Sequence, residues 1–564
     1  MTSLSPLSSS TAGKSAHTRT TLTRVVRSVS LAIVLLVGTG AAVSALPQSA
    51  AAATWNPISG TGSTWSQNAL DQWRKNVQAN YGMTINYSGT GSSAGRRDFI
   101  QGTVDYAVSE IPFQSHPEDG SAPETPPHGF AYMPIVAGGT SFMYNLKIGG
   151  KRVTNLRLSG DTVTRIFTGV ITNWNDPQVQ KDNPGLAMPN KLIVPVVRSD
   201  GSGSTAQFTL WMSKQYSTLW NSYCTKVGRA TPCGLTSQFP TYGNTKAQSG
   251  SLGVAGYVSQ DYGEGAITYV EYSYALKSGF PVAKVLNFSG YYIEPTAPSV
   301  AVALLKAQIN TTVSSADYLT QILDGVYNNT DKRAYPLSSY SYMIVPTAVA
   351  GIFNTAKGAT LGAFASYMLC EGQQQAAALG YSPLPMNLVL AGFDQIKRIP
   401  GAGGANVDAN SCNNPTFKKG DSPANNQLAV TAAQPAACDQ QGPNQCTTGT
   451  AGATQVTSVT GSGTGGAAAG KSGSAGTAAP GATAGGASGT TGAGGTATAA
   501  GGTTAEVAGV TGDGSSAVSI PFTLAAATFG ANQMIMISSG ALLVLAVLVP
   551  ALFSRRFLRR PARK

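Results

Sequence analysis

VVRSDGSGSTAQFTLWM, residues 196–212, passes from an apolar strand-like run through a basic residue, a carboxylate and alternating glycine and serine into an apolar pattern with helical spacing. Strand, glycine turn and helix in that order form the unit from which α/β folds are assembled. The loop is also chemically specific. The first backbone N–H groups of a helix lack internal partners and sit at the positive end of its dipole. Glycine lets an anion approach them closely, and serine or threonine hydroxyls add neutral donors.

The design recurs twice upstream. ISGTGSTWSQNALDQW carries Gly60, Gly62, Ser63 and Thr64 ahead of a helical pattern, and YSGTGSSAGRRDFIQG carries Gly89, Gly91, Ser92 and Ser93. One such loop is most simply a glycine turn with a Ser or Thr N-cap. Three of them, one flanked by Arg198 and Asp200, point to an oxyanion held without a metal. Arg198 supplies a forked, permanently charged donor, and Asp200 two residues on would orient it. Glu110, at the end of VDYAVSEIP, places a second carboxylate after the second loop. A carboxylate beside a bound anion is unfavourable unless the anion carries a proton to donate. Phosphate near neutral pH carries one and sulfate does not, so Glu110 is a candidate for selectivity by repulsion.

Working outward, TINYSG then RRDFIQG, FAYMPIVAG with SFMYNL, DTVTRIFTG, and KLIVPVVRS then TAQFTLWMSKQY alternate strand and helix signals. The alternation predicts an α/β architecture with largely parallel sheets, and its length exceeds one comfortable core, which predicts two lobes. The aromatics of YVEYSYALKSGF and YPLSSYSYMIV are read as strand and hinge packing.

The ends of the 564-residue chain are of another kind. Residues 1–53 hold Lys14, Arg19, Arg24 and Arg27, no acid, then SLAIVLLVGTGAAVSAL and QSAAAA, the pattern of a secretory signal peptide. Residues 447–515 are nearly all Gly, Ala, Thr and Ser, a flexible linker reaching about 45 Å. Residues 534–553 run twenty residues without a charge, roughly 30 Å as a helix, and the basic stretch 554–564 follows. That order predicts one C-terminal transmembrane helix with a cytoplasmic tail, and hence a chain displayed on the extracellular face of the membrane. Most of the formal charge of +12 comes from these ends. Setting aside four basic residues of the leader and six of the tail leaves 27 basic against 25 acidic residues, which excludes a nucleic-acid stripe.

Six cysteines, all in the exported part, favour disulfides over metal ligation, with no CxxC pair and no metal or cofactor expected. Cys224 with Cys233 and Cys438 with Cys446 close short loops, leaving Cys370 with Cys412, one of fifteen connectivities. Three motifs mislead. GGAAAGKS, residues 465–472, matches a phosphate loop but sits in the linker with no strand before it. GSSAG, residues 91–95, fits a nucleophile elbow around Ser93, yet a serine hydrolase would need His116 or His128, both in the proline-rich SHPEDGSAPETPPHG. Residues 89–94 fit a weak dinucleotide fingerprint that export argues against.

From Ile58 to Leu388 the segments SGTGSTW, YSGTGSSAG, QGTVDYAVSEIP, FAYMPIVAG, IFTGVITNWNDP, VVRSDGSGST, GAITYVEYSYA, YPLSSYSYMIV and LGYSPLP occur in order. In this the chain resembles the extracellular phosphate-binding proteins of high-affinity phosphate ABC transporters, which have a type II periplasmic-binding-protein fold. The resemblance implies two α/β lobes joined by a hinge and closing over one desolvated phosphate. It carries binding roles to Thr64, Ser92, Arg198, Asp200, Ser202, Gly203 and Ser204, and to Glu110 where the family usually has aspartate. The expected organisation is a lobe of residues 54–140 with 339–400, a second lobe of 141–338 and a cysteine-containing extension, 401–446, before the linker. The expected protein is a monomeric receptor that binds inorganic phosphate, works with permease subunits and catalyses nothing. The rival readings are a surface oxyanion sensor or adhesion protein without transport, and a secreted serine hydrolase.

Overall fold

The computed structural model describes residues 55–117, 120–315, 318–423 and 425–453. They lie in the first of two compact units, Met1–Ser474. The expected signal peptide, most of the linker, the expected membrane helix at 534–553 and the basic tail lie outside the described residues. Among the described residues no helix is long and apolar enough to cross a membrane.

The first three strands, β1 (Ile58–Gly62), β2 (Ile85–Ser88) and β3 (Tyr106–Ser109), are parallel, with β1 in the middle. Between them run α1 (Gln67–Tyr81) and α2 (Ser92–Ile100). Helix α1 buries Ala69, Leu70, Trp73 and Val77, one stripe at helical spacing. It stops at Gly82, whose left-handed φ of 69° lets its N–H cap the last turn.

The long β4 (Phe130–Tyr144) joins the two halves of an eleven-stranded sheet. Residues 130–139 pair antiparallel with β9 (Ser338–Pro346), which in turn pairs with β3. Residues 140–144 pair antiparallel with β7 (Ala266–Glu271). Next to β7 lie the parallel strands β5 (Val194–Arg198) and β6 (Lys246–Gln248), and β8 (Val282–Leu286) also pairs with β4. The sheet is therefore mixed, not largely parallel as the strand and helix alternation predicts. The antiparallel joins come from β4 and β9, which are buried along nearly their whole length and so read as continuous apolar runs that conceal direction.

FAYMPIVAG and SFMYNL, which read as two segments, are one strand. Gly138 and Gly139 do not turn the chain; they make room. A Cβ at Gly138 would lie 2.8 Å from the Trp65 ring, and one at Gly139 would lie 3.0 Å from the Tyr335 ring.

Helix α3 (Gly160–Phe167) precedes β5, helices α4 (Gly203–Gln215) and α5 (Gly250–Ser259) follow β5 and β6, and α6 (Ala297–Leu304) lies between β8 and β9 in the chain. Phe208 of α4 packs against Tyr269 of β7 with ring centroids 4.9 Å apart, and Phe142, Phe167 and Phe239 complete the cluster. The start of α4 is thus fixed to the sheet by aromatic burial.

Disulfides join Cys224 to Cys233, Cys370 to Cys412 and Cys438 to Cys446. The extension after residue 400 is packed onto the fold. Asn414 donates to the carbonyls of Leu369 and Leu384, and Arg333 donates to those of Ala429 and Ala432. Buried Arg157 donates to the carbonyls of Cys438 and Asn444. The first residues of the Gly, Ala, Thr and Ser-rich stretch also belong to the fold: Thr450 is buried and its hydroxyl donates to Val282 O at 2.6 Å. A threonine in a low-complexity run gives no sign of such docking.

Candidate functional site

The carboxyl ends of β1, β2 and β3 face those of β5 and β6, where ligands of open α/β sheets bind. The ends of β1, β2, β5 and β6 each run into a glycine and serine loop and then a helix start, β3 ends at Glu110, and side-chain bonds knit these segments together.

From the first loop, Thr64 Oγ1 lies 2.8 Å from Ser251 Oγ and accepts from the Ser251 N–H at 3.0 Å. From the second, Ser92 Oγ accepts from the Gly203 N–H at 3.1 Å, and the Ser93 N–H donates to Gly201 O. Gly91 has a φ of 93°, and a Cβ there would lie 2.6 Å from Asp200 Oδ2, so the turn needs glycine twice over. These bonds bring the separate loops into contact with one another.

Arg198 is 3 % exposed and does not point to bulk water. Its Nε donates to Asp200 Oδ1 at 2.7 Å and its Nη2 to Asp200 Oδ2, while Nη1 donates to Ser251 Oγ at 3.3 Å. This is a buried, forked pair, not a loose surface contact. Burial alone would raise the Asp200 carboxyl. The hydrogen bonds and charge of Arg198, with the Gly250 N–H, outweigh burial and hold it below the usual carboxylate range. Tyr269 OH accepts from the Arg198 N–H at 3.2 Å, and burial pushes this phenol up to about 12, so it stays neutral.

Ser202 caps α4 by accepting from the Thr205 N–H. Ser204 Oγ, on a residue 2 % exposed, has no protein partner. Gly203, between them, is closely walled in: a Cβ there would overlap Glu110 Oε2 and lie 2.8 Å from Ser92 Oγ.

Glu110 is fully buried. Its Oε1 accepts from Ser63 Oγ at 2.5 Å and Ser341 Oγ at 2.9 Å, and its Oε2 accepts from Ser92 Oγ at 2.8 Å. The methylene that distinguishes it from aspartate is accommodated by the space that Gly203 leaves. Gln207 Nε2 donates to the Glu110 backbone carbonyl at 2.8 Å and fastens the segment to α4.

Sequence reasoning missed Ser251, at the start of α5, although AQSGSLG is a fourth glycine and serine loop before a helix. It also missed Ser63 and Ser341 as partners of Glu110. Tyr274, read as packing, has a further role, and Tyr381 shares it: Tyr274 OH donates to Thr64 O at 2.6 Å and Tyr381 OH to Trp65 O at 2.7 Å, pinning the first loop.

Among the described residues no three His, Cys, Asp or Glu side chains are grouped to hold a metal ion. Ser93 Oγ accepts from Arg96, and His116 and His128 are exposed in their loop, so the elbow motif has no base beside it.

A PBP superfamily domain matches residues 42–371. The phosphate-binding protein PstS of Xylella fastidiosa is 33 % identical over 346 residues, covering 61 % of this chain and 86 % of that one. The phosphate-binding protein PstS of Methanocaldococcus jannaschii is 31 % identical over 356 residues, covering 60 % and 85 %. Among solved structures, the phosphate-binding protein from Stenotrophomonas maltophilia is similar with a TM-score of 0.44 at 17 % identity, over 58 % of this chain and 91 % of its own, too distant a likeness to carry weight. The relatives are named as binding proteins, not enzymes. The chain therefore belongs to the PBP superfamily and, within it, to the family of phosphate-binding proteins of PstS type.

Proposed function

We propose that the cradle formed by Thr64, Ser92, Arg198, Ser202, Gly203 and Ser204 binds one inorganic phosphate ion, with Asp200 orienting Arg198. The observation that carries this reading is a buried guanidinium, forked onto Asp200, beside helix starts and hydroxyls supplied by separate loops. Ser204 Oγ, buried with no protein partner, is the donor most plainly left for a ligand. Phosphate that retains a proton donates it towards Glu110, whereas fully ionised sulfate meets a buried carboxylate with nothing to offer it.

The lobes are residues 54–140 with 339–400 and residues 141–338, closing over the ligand about the strands that join them, and the closed state is favoured by binding. The protein acts as a monomer on the extracellular face of the cell membrane. The signal peptide exports it, the linker beyond residue 453 and the C-terminal helix tether it, and it delivers phosphate to the permease of an ABC-type importer.

Isothermal calorimetry of the purified protein with phosphate, sulfate and arsenate at several pH values tests the binding reading. The expected result is one phosphate per chain, no heat with sulfate, and loss of at least 100-fold in affinity in Arg198→Ala, whose partner Asp200 is left as an uncompensated buried charge. Equal binding of sulfate, or an Arg198→Ala variant with unchanged affinity, contradicts it.

A further inference from the structure

Beneath the cradle lies a narrow cavity outside the proposed phosphate contacts. Thr140 of β4, Ser339 of β9, Gln207 of α4, and Tyr327 of the short helix α7 (Asp324–Tyr327) line it, with Trp211 and Leu323 as apolar walls. Thr140 is 1 %, Ser339 2 %, Tyr327 5 % and Gln207 7 % exposed. Thr140 Oγ1, Ser339 Oγ, Tyr327 OH and Gln207 Oε1 have no protein partner. One such atom is an ordinary imperfection; four on a single cavity wall specify a guest, because a buried polar atom without a partner forfeits a whole hydrogen bond.

The lining defines the chemistry of that guest. Gln207 Nε2 is committed to Glu110 O at 2.8 Å, so the amide cannot be turned and Oε1 must accept. An anion with no proton to give has nothing to offer that carbonyl. The three hydroxyls can each donate or accept, and no charged side chain lines the cavity. Space for about one water-sized sphere remains. We propose that the cavity binds a single buried water molecule, which donates to Gln207 Oε1 and one hydroxyl and accepts from the other two. Water has two donors and two acceptors, the complement of this set. Burial, reinforced by Asp324, raises the Tyr327 phenol and keeps it neutral and able to donate.

The water ties β4 and β9, which join the halves of the sheet, to α7 and to α4, whose first turn forms the cradle. It also holds the Gln207 amide in the orientation that fastens Glu110. Gln207, Thr140, Ser339 and Tyr327 are on this reading positioning residues.

A crystal structure of the protein at about 1.5 Å tests the site without reference to phosphate. The expected result is one peak with four oxygen neighbours at roughly 2.7–3.2 Å. No peak, or a peak with contacts at roughly 2.0–2.6 Å that marks a cation, overturns it. The variant Ser339→Ala tests the coupling, which rests on the proposed phosphate site. The peak should weaken and phosphate affinity should fall about 5-fold, the equivalent of one hydrogen bond, with the Thr140→Ser variant close to the parent. Unchanged affinity in Ser339→Ala overturns the positioning role. A wild-type peak with no phosphate binding at all refutes the phosphate reading and leaves the water site standing.

Discussion

Replacing Gly203 with alanine isolates the contact at which its loop meets Glu110 and Ser92. Gly203 is the first residue of α4 and its φ is not positive, so its own helix accepts alanine without strain. The added Cβ instead overlaps Glu110 Oε2 and crowds Glu110 Cβ at 2.9 Å and Ser92 Oγ at 2.8 Å, atoms contributed by the other set of loops. Relief requires Glu110 to give up its three serine hydroxyls, or the two sets of loops to stand apart. Each charge-assisted hydrogen bond contributes about 1.5–3 kcal/mol, and overpacking costs about 1–3 kcal/mol. A penalty on the ligand-bound form of about 2–4 kcal/mol corresponds to roughly 30- to 1,000-fold weaker phosphate binding. Titration calorimetry measures the affinity, and thermal unfolding without phosphate should change little. The double variant Gly203→Ala, Glu110→Asp, which retracts the carboxylate by one methylene, should recover part of the loss in a double-mutant cycle. Affinity within 3-fold of the parent, or no coupling between the two positions, refutes the reasoning.

Three further outcomes are expected. Ser251→Ala removes the hydroxyl shared by Thr64 and Arg198 and should weaken phosphate binding about 5- to 10-fold in calorimetry, with unfolding nearly unchanged. Glu271 is fully buried and its carboxyl is pushed well above the usual range, first by desolvation and against its bonds from Ser273. The folded state therefore holds a proton that the unfolded state has released, and stability falls by up to about 1.4 kcal/mol per pH unit as pH rises above the ordinary glutamate range. Glu271→Gln should flatten that slope in unfolding curves measured from pH 5 to 8. Replacing both Cys370 and Cys412 with serine opens a link across a sequence separation of 42 and should cost about 4 kcal/mol, roughly 5 °C in Tm for a fold of this size.

The parts of the site legible in the sequence are those whose chemistry is local. Thr64, Ser92 and Ser204 stand out because glycine and hydroxyl residues ahead of a helical pattern specify a helix start, with its unpaired N–H groups, within a few residues. Arg198 and Asp200 stand out because a forked donor and its orienting acid are two residues apart. Ser251 did not stand out because its partner, Thr64, is 187 residues away and AQSGSLG has no arginine with a carboxylate two residues on, as Arg198 and Asp200 are. Ser341 is a serine within a buried strand, distinguished only by Glu110 meeting it across the sheet. The α/β class follows from alternating patterns, but the antiparallel joins through β4 do not, since a strand buried on both faces has the same pattern in either direction. The docking of Thr450 shows the same limit at the edge of the low-complexity stretch, where composition describes the neighbourhood and a single buried hydroxyl decides the contact.

The most direct measurement is a crystal structure of the protein grown with phosphate. One tetrahedral peak within hydrogen-bonding distance of Thr64, Ser92, Arg198 and Ser204, with a phosphate oxygen directed towards Glu110, is the predicted result. Phosphate seated elsewhere, or a cradle in which Arg198 stays bonded to Asp200 and Ser251 while no ligand density appears beside it, would contradict the account.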